Sequence, residues 1–204
     1  MYLSRLTLNQ GRLAMNWVAN PYRVHQRLMI ACDKDPRVLF RIESQQTPIR
    51  ILVQSWQEPD WLVVFASFDV LGMPVECKPF NPNFTPGAAY HFRILANPTV
   101  KKSHPGDEQG KRIGLHKDEN QIAWINRKLN SAGAQILTCH VNMNEMLRLE
   151  KGPSKDTAPL THLAVLFEGI LVVQDPPELV EAIKRGIGPA KGFGFGLLSL
   201  ARAD

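Results

Sequence analysis

Cysteine is scarce in this chain, and long apolar runs are missing from it. The three cysteines, Cys32, Cys77 and Cys139, are widely spaced and odd in number. This pattern is more typical of buried thiols in a reducing cytosol than of disulfides or a zinc site. The longest apolar stretches, near residues 61–68 and 163–173, are too short or too interrupted to span a bilayer, and the N-terminal residues lack the apolar core of a signal peptide. We therefore expect a cytoplasmic protein without a membrane partner.

The common phosphate-binding motifs are absent, although glycine is concentrated near the C-terminus. Five of the 14 glycines fall between Gly186 and Gly196, in the run GIGPAKGFGFG. Lys191 precedes Gly192 and not a hydroxyl residue, as a Walker loop would require. The run also follows a predicted helix, whereas a dinucleotide fingerprint opens one. Backbone amides beside a lysine suit a polyanion, but glycines in a tight helix-to-strand turn can also serve packing alone, and the pattern leaves both interpretations open.

The overall composition is that of a globular protein with a basic balance. The 204 residues are 44% hydrophobic and 21% charged, with a formal net charge of +5. This length suffices for one large or two small domains. The positive charge favours a polyanionic partner only weakly.

The first half of the chain predicts the element order βαββαβ. Residues 2–8 have the pattern of a strand, and Asn20-Pro21 is typical of a helix start, with Asn as the cap and Pro at the first helical position. The other predicted elements are strands at 37–43, 49–55 and 74–80 and a short helix from Pro59-Asp60.

The second half repeats this order after a linker at 81–87 that is rich in Asn, Pro and Gly. The predicted elements are strands at 88–96, 134–141, about 146–150, 161–173 and 194–200, with helices at 118–131 and from Asp175 to Gly186. We therefore expect an α+β protein of two tandem ferredoxin-like (RRM-like) domains, residues 1–84 and 85–204. This fold hosts many functions and decides none by itself.

Several segments resemble CRISPR-associated endoribonucleases of the CasE (Cse3) type. The most specific is GIGPAK at 186–191 followed by GLLS at 196–199; MYLS at 1–4, NPYRVH at 20–25 and FRILANP at 92–98 match as well. The resemblance implies cleavage of CRISPR precursor RNA at the base of the repeat stem-loop, without metal or cofactor. In that reaction a ribose 2′-hydroxyl attacks the adjacent phosphate and leaves a 5′-hydroxyl. It also implies other Cascade subunits as partners, and we expect a monomer when the protein is free.

The same resemblance assigns the chemistry to Tyr22 and His25, which share a helix face because they are three residues apart. Histidine suits general acid–base catalysis because its pKa lies near neutrality. Tyr22 would act beside it as a hydrogen-bond donor or a second acid–base group. Which residue is the acid and which the base stays open at this stage.

The candidate RNA-binding residues fall in three segments. On the helix, Arg23 and Arg27 either brace the scissile phosphate or are merely solvated. The polar loop at 98–117 either clasps RNA or is solvated, and residues 193 and 195, both Phe, either face a core or stack on bases. The candidates outside the helix are Lys101, Lys102, Lys111, Arg112, Gly188, Lys191, Gly192 and Gly194.

Two other functions fit parts of this pattern. A noncatalytic RNA-binding subunit of a CRISPR ribonucleoprotein would not need His25. A ferredoxin-like module for small molecules would not need the positive charge of the 101–117 loop. His104 and His116 lie in that loop without a Cys or carboxylate at ligand spacing, which argues against a metal site there.

Overall fold

The structure is a computed structural model that describes residues 1–34, 37–102, 111–149 and 160–203. Within these ranges the chain forms two compact units. Of the described residues, the first unit contains residues 1–34, 37–82, 148–149 and 160 and Lys191–Leu197, and the second contains residues 83–102, 111–147 and 198–203 and Thr161–Ala190. Lys191–Leu197 therefore belongs to the first unit. The predicted boundary placed this segment in the second domain, residues 85–204.

The first unit is a four-stranded antiparallel sheet with helices. Its elements are β1 (Tyr2–Thr7), α1 (Arg12–Val18), α2 (Pro21–Ala31), β2 (Leu39–Glu43), β3 (Arg50–Ser55), α3 (Trp61–Phe65) and β4 (Glu76–Pro79). The strand order β2-β3-β1-β4 is that of a ferredoxin-like fold, and β2 forms one edge of the sheet. Only α1 was not predicted.

The start of α2 depends on its cap, as the sequence indicated. The Asn20 side chain accepts hydrogen bonds from the backbone amides of Tyr22 and Arg23, at 3.1 and 3.3 Å. This satisfies two amides that have no partner inside the helix. Val24 and Leu28 are fully buried against the sheet, so the N-terminal turn of α2 is held in a fixed orientation.

The second unit repeats the fold, with an inserted hairpin. Its elements are β5 (Ala89–Ala96), β6 (Thr99–Lys102), β7 (Lys111–Gly114), α4 (Asp118–Asn130), β8 (Ala134–Leu149), β9 (Leu160–Val173), α5 (Pro176–Arg185) and β10 (Leu198–Arg202). The main sheet has the order β10-β5-β9-β8, and β6 pairs with β7 separately. The tandem ferredoxin-like fold is thus confirmed.

Three predicted details were wrong. The two strands expected at 134–141 and 146–150 are one strand, β8, and the loop at 98–117 contains the paired strands β6 and β7. The last strand begins at Leu198 and not at 194, because Lys191–Phe193 forms a 3₁₀ turn and the residues after it pack with the first unit. His104 lies outside the described residues.

All three cysteines are free, but only Cys32 is fully buried; Cys139 is half-buried and Cys77 is exposed, contrary to the expectation of buried thiols. No helix in the described part of the chain is long and apolar enough to cross a membrane.

Candidate active site

The N-terminal half of α2 presents Tyr22 and His25 side by side. Both are half-buried, whereas Val24 between them points into the core. Residues three apart in a helix lie one above the other on the same face. The sequence spacing and the structure therefore agree in bringing a phenol and an imidazole to one surface.

A segment from near the C-terminus lies against this surface. We call Lys191–Leu197 the strap. The rings of Phe193 and Tyr22 are in contact, with centroids 5.8 Å apart. A Cβ built on Gly192 would lie 3.5–3.7 Å from three atoms of the His25 ring. The strap thus contacts both candidate catalytic side chains directly.

Phe40 of β2 is the second neighbour of His25. Its ring stacks on the imidazole with centroids 6.0 Å apart and 27° between the planes, and it is fully buried. The strap also contacts Phe40, since a Cβ on Gly194 would lie 3.2 Å from that ring. Gly194 has a φ of +87°, which disfavours any other residue at this position.

These neighbours change the proton affinity of His25. Burial lowers the pKa of His25 below its ordinary value, because an apolar environment disfavours the charged imidazolium. An ordinary histidine has a pKa of about 6.5, so His25 is mainly neutral at neutral pH. A neutral imidazole is able to accept a proton there.

Arg41 anchors the other end of the strap, and sequence reasoning missed it. Its guanidinium Nη1 donates a hydrogen bond of 3.0 Å to the carbonyl oxygen of Leu197. Its Nε and Nη2 both lie 2.8 Å from Oε1 of Glu43. Arg41 is only 2% exposed and Glu43 only 5%. Two charged residues at alternate positions of a strand, such as Arg41 and Glu43, normally indicate a solvent-exposed face. The local sequence therefore gave no sign that both side chains are buried.

Arg23 and Arg27 are on α2 but not on the face of Tyr22 and His25. Arg27 is about 160° around the helix from His25, since each residue advances by about 100°. Its Nη1 donates to the carbonyl of Val64 at 3.1 Å, and its guanidinium lies 3.7 Å from the centroid of the Phe68 ring. Arg27 therefore joins α2 to the α3 segment, whereas Arg23 is exposed on a groove that Arg27 also lines.

The four basic candidates of the 98–117 segment lie on the β6–β7 hairpin. Lys101 and Arg112 are direct cross-strand partners, and Lys102 pairs in register with Lys111. The side chains of Lys101, Lys102 and Arg112 are exposed. Like charges placed opposite each other on paired strands are destabilising, so this register concentrates positive charge on the hairpin without stabilising it.

The remaining predicted positions divide between the two units. Gly188, in the second unit, has a φ of +85°, and a Cβ there would lie 2.9 Å from Trp124, which gives it a packing role. Lys191 is half-buried at the start of the strap. Phe195 is fully buried, so it belongs to a core. Among the described residues, no group of three or more His, Cys, Asp or Glu side chains is arranged to hold a metal ion.

Comparison with known proteins gives a consistent result along the whole chain. A family model described as CRISPR associated protein matches residues 1–202. The chain is 35% identical to the CRISPR-associated endoribonuclease Cse3 of Thermus thermophilus over 98% of its length and 100% of that protein. It is 32% identical to the CRISPR system Cascade subunit CasE of Escherichia coli K12, with 98% and 99% covered. A structure of Thermus thermophilus Cse3 bound to an RNA representing a pre-cleavage complex superposes with a TM-score of 0.84, at 33% identity and 98% coverage of both chains.

Proposed function

The chain belongs to the CRISPR-associated endoribonucleases of the CasE type, and on that basis we propose that it cuts CRISPR precursor RNA within each repeat without a metal ion. The observation that carries this proposal is the placement of Tyr22 and His25 on one face of α2, both in contact with the strap. Close relatives carry the names endoribonuclease and Cascade subunit. An RNA-cleaving enzyme that stays with its product in a Cascade complex fits both names.

His25 is the general base of this reaction. The lowered pKa leaves its imidazole neutral at neutral pH, so it accepts the proton of the attacking 2′-hydroxyl. Tyr22, on the same helix face, then donates a proton to the departing 5′-oxygen and recovers one from solvent. The oxygen–phosphorus bond to the 2′-oxygen forms while the bond to the 5′-oxygen breaks, giving a cyclic phosphate and a 5′-hydroxyl.

The β6–β7 hairpin supplies affinity for the RNA backbone. Its exposed cations, Lys101, Lys102 and Arg112, are suited to phosphate contacts, which position a nucleic acid without reading its sequence. Lys111 extends the same pair of strands. Recognition of a hairpin by its shape and phosphates follows from such contacts.

The test of the chemistry is cleavage of a labelled repeat RNA in excess EDTA. We expect one cut, with a 5′-hydroxyl on the downstream product. A 2′-deoxy residue placed just upstream of the cut site should abolish the reaction because it removes the nucleophile. Activity that is lost in EDTA and restored by magnesium would overturn the metal-independent mechanism, and tight binding without any cut would favour a noncatalytic RNA-binding subunit.

The pH dependence of the rate tests the role given to His25. As a base, His25 must be neutral. The cleavage rate should therefore fall when the pH drops below the pKa that His25 has in the folded protein, which is lower than that of an ordinary histidine. If His25 were the acid, the rate would instead fall as pH rises through that same pKa. A single-turnover pH–rate profile separates the two.

A cytoplasmic location, the other Cascade subunits as partners and a monomeric free state complete the proposal. Size-exclusion chromatography with light scattering, before and after addition of repeat RNA, tests the last point.

A further inference from the structure

We propose that Arg41 is a positioning residue for the cleavage reaction: by binding the carbonyl of Leu197 it holds the strap, and with it Gly192, against His25. This inference rests on the proposed function, since it concerns the same site. Arg41 and Phe40 point to opposite faces of β2, so Arg41 acts on His25 through the backbone of the strap.

The strap passes around the β2 edge of the sheet. Phe40 and Arg41 are adjacent in β2, and successive strand residues point to opposite faces. Gly194 contacts Phe40 on the face that carries α2 and His25, whereas the Leu197 carbonyl meets Arg41 on the other face. The strap therefore crosses the β2 edge and is held on both sides of it.

The buried ion pair of Arg41 and Glu43 is costly to form. Arg41 and Glu43 are both almost fully buried, and burying an ion pair often contributes little or nothing net to stability. A pair of apolar residues would fill this site at least as well. What an apolar pair lacks is a donor for the Leu197 carbonyl. The guanidinium supplies that donor through Nη1, while its Nε and Nη2 lie against Glu43. A planar guanidinium has enough N–H groups to bind both partners at once.

The position of the strap affects the environment of His25. Gly192 and Phe40 each cover part of the imidazole of His25, which is half-buried. If the Leu197 end of the strap is released, Gly192 withdraws and His25 becomes more hydrated. The imidazole then loses its fixed orientation, and its pKa moves back toward the ordinary value. Two independent quantities, the pKa of His25 and the cleavage rate, should therefore change together when Arg41 is altered.

The experiment uses two variants and a control in the full-length chain. Arg41→Lys keeps a cation beside Glu43 but loses the fork. The double variant Arg41→Met with Glu43→Leu removes the donor and leaves no buried unpaired charge, so it should fold even if the single variant does not. Arg5→Met is the matched control, because Arg5 forms an exposed ion pair with Glu76 within the same sheet.

The measurements are the titration of the His25 ring by NMR without RNA, the single-turnover cleavage rate and the dissociation constant for repeat RNA. For the double variant we expect the pKa of His25 to rise and the rate at neutral pH to fall by about ten- to a hundredfold, as for a misplaced catalytic group. RNA affinity should fall much less than the rate, since the exposed cations of the β6–β7 hairpin are unchanged. Arg5→Met should match the wild type in all three.

A folded double variant with the wild-type pKa of His25 and the wild-type rate would overturn the proposal. Failure of the proposed function has a different signature: the wild-type protein would not cut repeat RNA at all, while the NMR titration would still report whether Arg41 holds the strap on His25.

Discussion

His25 owes its chemical state to two neighbours that carry no charge. Phe40 stacks on its ring and Gly192 lies against it, and within the described residues partial burial is the cause of its lowered pKa. The pKa of a histidine paired with a carboxylate would rise, whereas burial lowers it here. Burial thus favours the neutral imidazole, the form that the proposed base requires.

Removing the imidazole should abolish most catalysis and little binding. For His25→Ala we expect the single-turnover rate to fall by about two to four orders of magnitude, the usual contribution of a general acid–base group. The affinity for repeat RNA should hardly change, because a neutral ring contributes little to phosphate binding. Tyr22→Phe should slow the reaction less. His140→Ala, an exposed histidine on β8, is the control; near-normal turnover by His25→Ala would remove His25 from the site.

Gly192 allows a graded test of the strap contact. Its backbone does not require a positive φ, and an added Cβ would meet the His25 ring at an ordinary contact distance. Gly192→Ala should therefore keep the rate within about threefold of the wild type, whereas the branched side chain of Gly192→Val should displace the imidazole and slow cleavage by about tenfold or more. Equal cleavage rates for the two variants, with unchanged thermal stability, would contradict the close approach of Gly192 to the His25 ring.

At the residue level the sequence predicted what was local. The spacing of Tyr22 and His25 on a capped helix was sufficient to place them together. Arg41 was not predictable, because its burial depends on Leu197, which lies 156 residues further along the chain. The role of Arg27 was equally hidden, since its partners Val64 and Phe68 lie beyond the next two strands.

Among the elements, the helices and strands with strong periodic or capping signals were predicted well. The failures occurred where tertiary contacts decide: α1 has no side-chain cap, and β8 continues through a stretch that local pattern divides in two. The strand expected at 194–200 starts late because residues before Leu198 cross the β2 edge in place of pairing with β5.

The β6–β7 hairpin is the element on which RNA affinity should depend. Replacing Lys101, Lys102, Lys111 and Arg112 together by Ala should reduce the slope of log affinity against log salt by about 0.7–0.9 for each phosphate that the variant no longer binds. Matched and mismatched hairpins should weaken alike, because phosphates carry no sequence. Lys184→Ala with Arg185→Ala, cations paired with Glu181 and Glu178 on α5, is the control. An unchanged slope in the fourfold variant would mean that the hairpin is only solvated.

For the molecule as a whole, the three thiols should differ in their rates of modification, because each is buried to a different degree in the native fold. Cys77 is exposed on β4, Cys32 is buried, and burial raises the pKa of Cys139 to about 11. At pH 8 only about one Cys139 in a thousand is a thiolate, the reactive form. Iodoacetamide should thus modify Cys77 first, Cys139 far more slowly and Cys32 only on unfolding, as peptide mass mapping would record. Early modification of Cys32 would contradict the packing of α2.

The fold class of both halves followed from element order, since strand and helix patterns repeat as βαββαβ. The grouping of Lys191–Leu197 with the first unit did not follow. Local pattern indicates a helix, a turn and a strand there, and only packing across the chain shows which sheet the turn contacts.

The late position of the strap in the chain has a consequence for biosynthesis. Domains emerging from the ribosome generally fold from the N-terminus onward, so β1–β4 and α2 are available long before Lys191–Leu197 is translated. Until then His25 lacks its cover and the Arg41 guanidinium lacks the Leu197 carbonyl. A nascent or prematurely terminated chain would carry Tyr22 and His25 without the contacts of the strap, so the site described here is complete only after the strap has been translated and has left the ribosome.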